Sequence, residues 1–110
     1  MKIIKYNKLI RDNIPKIIEK SGKECTVSVL DDEEYVLKLK EKLVEEAKEV
    51  LLADNKEIIN ELADVLEVFE TIEKTYRIKH ESVLNVMKVK NEKNGGFNKK
   101  LLLLETREND

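Results

Sequence analysis

A mainly α fold is predicted by three observations. Val36, Leu39, Leu43, Ala47 and Val50 recur at the three- and four-residue spacing of a buried helical stripe. Ile58, Leu62, Val65, Leu66, Phe69 and Ile72 do the same further on. So few residues join the two runs that the helices must lie antiparallel. The predicted architecture is this helical hairpin plus a third helix, a short N-terminal helix and a minor β element.

The elements follow in order. Ile14, Ile17 and Ile18 have helical spacing, and Pro15 suits a first turn, where its missing N–H costs nothing. Asp12 or Asn13 is placed to cap this short helix, and Gly22 ends it. Residues 26–30 alternate with β-branched members, the pattern of a short strand. Asp31 and Asp32 open the first long helix, where acidic residues suit capping and the macrodipole. It ends near residues 53–55, and the second long helix spans about 56–74. A third, about 79–93, is expected to bury Val83, Leu84, Val86 or Met87, and Val89, and residues 94–96 break it. The Leu101–Leu104 run reads as a strand pairing with residues 26–30 or as a docked tail.

The 110 residues suffice for one domain, 1–110, with no room for a second independent core. Apolar residues at 41% mark a globular chain. The charge is balanced, 21 Lys+Arg against 23 Asp+Glu, which weighs against a nucleic-acid polymer as partner. One cysteine, Cys25, permits no internal disulfide, and one histidine, His80, permits no His-rich metal site. Three glycines at positions 22, 95 and 96 form neither a P-loop nor a dinucleotide fingerprint. No apolar run reaches membrane-spanning length, and the first residues lack a secretory signal, so a soluble cytoplasmic protein is expected. His80 reads as a helix-start residue and Cys25 as a plain thiol. Among the aromatics, Phe69 reads as core, and Tyr6 and Phe97 as packing residues or base stackers.

The chemistry lies in two acidic pairs. Glu46 and Glu49 are three apart on the first long helix, and Glu61 and Asp64 are three apart on the second. Such spacing puts both members of a pair on one side of a helix, and an antiparallel hairpin sets the pairs opposite each other. Like charges so placed repel and resist burial. Either divalent cations neutralise them, with oxygen donors selecting Mg²⁺, Mn²⁺ or Ca²⁺ rather than Zn²⁺, or they form a solvated face paired with lysines such as Lys42 and Lys48. The same spacing recurs at Glu67 with Glu70 and at Glu70 with Glu73, as chance on any charged helix allows.

The blocks around these acids, residues 42–47 and 61–66, resemble the all-α nucleoside triphosphate pyrophosphohydrolase superfamily, which includes MazG, the dimeric dUTPases and phosphoribosyl-ATP pyrophosphohydrolase. Residues 6–15, 30–35 and 95–97 are similar to a small MazG-like branch labelled phosphoribosyl-ATP pyrophosphohydrolase-like. The resemblance covers nearly the whole chain, although similar sequences carry Arg where Asn94 stands.

The resemblance implies an enzyme that cleaves a nucleoside triphosphate between its α and β phosphates, giving the monophosphate and pyrophosphate. It implies Mg²⁺ held by Glu46, Glu49, Glu61 and Asp64; non-ligating Glu45 is one candidate for the carboxylate that orients the attacking water, and the general base is left unassigned. The phosphates also require cations from the protein: Lys8 and Arg11 near the N-terminus, Lys90 and Lys93 at the end of the third helix, with Arg11 favoured for its planar fork. Surplus or noncanonical nucleotides are the expected substrates. Phosphoribosyl-ATP is the second reading, and a non-catalytic helical oligomerisation module the third. Apolar surface left on Leu51, Leu52, Leu66, Val68 and the leucine run points to a homodimer or homotetramer. The superfamily implies the same, with a four-helix core completed by association.

Overall fold

Among the described residues, four helices, α1 (Ile14–Lys20), α2 (Asp32–Leu52), α3 (Ile58–Thr75) and α4 (His80–Asn94), make up the regular structure. The computed structural model describes residues 1–109. They fall into two compact units, Met1–Arg77 and Ile78–Asp110.

The first unit is built on the α2–α3 hairpin. Asp31 caps α2, its side chain accepting from the Glu34 amide across 2.8 Å, and Asp32, Glu33 and Glu34 fill the first turn. Their charges complement the amides that the helix start leaves without partners. The turn is closed by Asp54, whose Oδ1 accepts from the amides of Lys56 and Glu57, each at 3.0 Å. Lys40 on α2 lies over the ring of Tyr76, just past α3, at 5.4 Å, while Glu46 meets Glu61 nearer the turn. The helices are therefore antiparallel, as expected. Arg77, with φ 56°, stops α3 in the left-handed conformation and returns its N–H to the Lys74 carbonyl.

Leu39 on α2 and Val68 on α3 are the buried apolar residues among those described, and Glu73, five residues after Val68 on α3, is buried too. Val36, Leu43, Val50, Ile58, Val65, Phe69 and Ile72 are half-buried. Three expectations need correction here. Val68 belongs to the core, not to leftover surface. Ala47 and Leu62, expected in the buried stripes, are exposed. Leu66 is half exposed, at 50%. The apolar face of each helix is wider than the seam that one hairpin covers, and the periodicity alone does not tell which edge faces inward.

Asn13 starts α1 without a side-chain cap bond, so the expected cap at Asp12 or Asn13 is not made. Pro15 stands at the helix start as predicted, and Gly22, with φ 87°, follows the helix end.

No strand forms among the described residues. Residues 26–30 and 101–104 are irregular, with Val29 98% exposed and each of the four leucines at 80% or more. The alternation was legible, but a two-stranded ribbon without a third strand or a covering helix is marginal in water. In the second unit, α4 leaves Leu84, Val86, Met87 and Val89 exposed, contrary to expectation, and only Val83 is half-buried. Gly95 ends α4 with φ 79°, donating to the Asn91 carbonyl at 2.8 Å. Among the described residues, no helix is long and apolar enough to cross a membrane.

Candidate metal centre

The hairpin brings Glu46, Glu61 and Asp64 together. One carboxylate oxygen from each lies within 4.8 Å of the others, and all three residues are half-buried. The geometry follows from the sequence: Glu61 and Asp64 share one side of α3, and Glu46 faces them from α2. Glu49 lies outside this group. It is exposed and lines, with Glu61, a cleft at the turn end of the hairpin that also includes Leu52, Ala53, Asp54 and Glu57.

Protein cations surround the cluster unevenly. Lys42 reaches Glu46 at 3.6 Å and Glu45 at 3.4 Å, within its own helix. Lys8 reaches Glu45 at 3.3 Å. Arg11 donates from Nη2 to Asp64 Oδ1 at 2.8 Å and sends Nη1 toward Glu67 Oε1 at 3.6 Å. Among the described residues, Glu61 makes no ion pair. Partial burial, followed by repulsion from Asp64, Glu49, Glu46 and Glu57, pushes its carboxyl above the usual range. At Glu45, burial acts upward but is outweighed by the hydrogen bond from Lys8 and the charge and hydrogen bond of Lys42, so its carboxyl titrates lower than usual.

Both readings of the acids therefore find a part in the structure. Lys42 pairs as a solvated face requires, but Lys48 makes no ion pair among the described residues, and three carboxylates still converge. Their oxygens are hard donors at a spacing one cation can bridge, so the residues present fit a divalent ion such as Mg²⁺ or Mn²⁺.

Of the four basic residues expected to contact phosphate, Lys8 and Arg11 stand beside the acids. Lys90 and Lys93 lie in the second unit, on α4, where they line a shallow cleft with Asn85, Val86, Val89 and Asn94. Glu67 was not singled out by sequence, where its spacing to Glu70 resembles any charged helix. Its distinguishing signal is its spacing to Asp64, again three residues, which puts both within reach of one guanidinium.

A family model described as phosphoribosyl-ATP pyrophosphohydrolase matches residues 5–91. Neither a curated protein nor a solved structure shows a match to this chain.

Proposed function

We propose, for a chain that belongs to the phosphoribosyl-ATP pyrophosphohydrolase family of the MazG-like all-α superfamily, a Mg²⁺-dependent hydrolysis of a nucleoside triphosphate between its α and β phosphates. The family is a metal-dependent pyrophosphohydrolase, acting on phosphoric anhydrides. The observation that carries the reading for this chain is the convergence of Glu46, Glu61 and Asp64. Glu49, one turn from Glu46, completes the proposed ligand set from the neighbouring cleft.

A divalent ion held by these acids supplies Lewis acidity that activates water and offsets phosphate charge. The chain supplies the rest. Glu46 on α2 and Glu61 and Asp64 on α3 would hold the cation, so its ligands would come from the hairpin rather than from a loop. Glu45, kept ionised by Lys8 and Lys42, is suited to accept a hydrogen bond from the attacking water and orient it. Lys8 and Arg11 provide positive charge for the polyphosphate chain. Lys90 and Lys93, on α4, are proposed as phosphate contacts from the sequence alone. Water attacks phosphorus, the α–β bridging bond breaks, and the products are the monophosphate and pyrophosphate.

The description of the matched family favours a second substrate with the same bond, phosphoribosyl-ATP. The family match runs from the first unit into α4, which supports treating residues 1–110 as one functional domain. A homodimer or homotetramer is proposed from the apolar face that the hairpin leaves exposed. The deciding experiment is pyrophosphate release from a panel of nucleoside triphosphates and phosphoribosyl-ATP, with Mg²⁺ or Mn²⁺. Turnover of phosphoribosyl-ATP far above every triphosphate assigns the second substrate. No release from any of them leaves only a non-catalytic helical module.

A further inference from the structure

Resting on the cation-dependent reading above, we propose that Arg11 is a built-in counter-cation of the acidic cluster. It competes with the divalent ion for Asp64, and its release couples cation binding to polyphosphate binding.

The geometry separates Arg11 from the other cations. Lys42 pairs within its own helix and Lys8 reaches Glu45, outside the three-acid group, whereas Arg11, from an irregular segment 53 positions before Asp64, pairs with a member of the group itself. Its fork divides between two carboxylates one turn apart on α3, with the short contact on Asp64 and the longer one on Glu67. A guanidinium has five donors and no acceptor, so it contributes nothing to cation ligation. Its charge opposes a dication held at the same carboxylate.

Exposure decides between exchange and fixed orientation. The side chains of Arg11 and Asp64 are 56% and 40% exposed. An exposed pair of this kind is weakly held and cheap to break, unlike a buried hydrogen bond that locks a ligand. Glu67 gives the released fork a second anchor at the edge of the cluster. There its planar donors match phosphate oxygens. Arg11 thus neutralises Asp64 in one state and is available to the substrate in the other.

The test is Mn²⁺ binding to the full chain, read by the electron paramagnetic resonance of free Mn²⁺, for wild type, Arg11→Gln, Arg11→Met and Arg11→Lys. A unit charge about 5 Å from a dication in water-like surroundings corresponds to about a tenfold change in affinity. Arg11→Gln and Arg11→Met are expected to bind Mn²⁺ about tenfold more tightly, and Arg11→Lys, which keeps the charge, close to wild type. Calorimetry with manganese pyrophosphate is expected to show weaker binding to Arg11→Gln than to wild type. Unchanged or weaker Mn²⁺ binding in both neutral variants overturns the exchange role while leaving the cation site standing. A wild type that takes up no Mn²⁺ removes the cation-dependent reading, and this proposal with it.

Discussion

Lys42 and Glu46 sit one turn apart on α2, with Nζ 3.6 Å from Oε1, so this acid of the cluster has its own cation. Arg11 gives Asp64 another. Glu61 has neither among the described residues, and partial burial together with repulsion from the neighbouring acids raises its carboxyl. The hairpin concentrates negative charge at one position on α3, and the proposed chemistry is most sensitive there.

Removing that carboxylate is expected to be more damaging than removing the outer one. Glu61→Ala should lower kcat/KM by more than about a hundredfold, beyond what loss of a supporting contact around a metal produces. Glu49→Ala, outside the three-residue group, should lower it less. Pyrophosphate release at saturating Mg²⁺ measures both. Equal losses would place Glu49 among the inner ligands.

Stability should respond in the opposite sense to activity. Glu61 titrates higher in the folded chain than an ordinary glutamate, so between the two values the folded state holds a proton that the unfolded state has released. Its contribution to stability is greatest below the unfolded value and falls as pH rises through the folded one. Glu61→Gln removes that loss. In chelator, the variant should melt above wild type at about pH 7, and the gain should vanish at about pH 3, below the usual carboxylate range. A gain that persists at low pH would point to packing rather than charge.

The hairpin and its acid pairs were legible because helical periodicity, a short connection and three-residue spacing are local and additive. Three of the four paired acids, Glu46, Glu61 and Asp64, converge, while Glu49 stays exposed at the turn end. The inward edge of each stripe was not legible: Val68 and Leu66 are both apolar, yet one is buried and the other half exposed. The strand expected at 26–30 failed because pairing is a long-range property that alternation does not encode. Arg11 was recognised as basic and near the site, but its division between Asp64 and Glu67 depends on where the segment before α1 crosses α3. That crossing is set by tertiary structure, not by any motif.

The start of α2 and its centre should differ in cost. Asp31→Ala removes the cap that holds the Glu34 amide and is expected to cost about 1 kcal/mol. Leu39→Ala removes the most buried apolar side chain of the hairpin, 3% exposed, and is expected to cost about 2–5 kcal/mol. Urea unfolding followed by far-ultraviolet dichroism gives both values. A smaller loss at Leu39 than at Asp31 would mean that the centre of the hairpin collapses around the missing side chain.

The last prediction concerns the apolar residues of the hairpin that stay exposed among the described residues. Leu37, Val44 and Leu51 recur every seven residues along α2 and are 57%, 56% and 82% exposed. Ile59, Leu62 and Leu66 follow three-four spacing on α3 at 76%, 53% and 50%. A seven-residue apolar repeat keeps one line of a helix facing a partner. Burying a Leu, Ile or Val fully contributes about 1.5–3 kcal/mol. Six such side chains per chain, even partly covered, outweigh the cost of bringing two chains together at the lower end of its range. Wild type is therefore expected to sediment as a dimer or larger assembly. Val44→Glu combined with Leu66→Glu should shift it to the 12.8 kDa monomer, because each charge would have to be buried without a partner. Sedimentation velocity at micromolar concentration measures the shift. A wild type that already runs as a monomer would refute the association and leave the exposed stripes without an explanation.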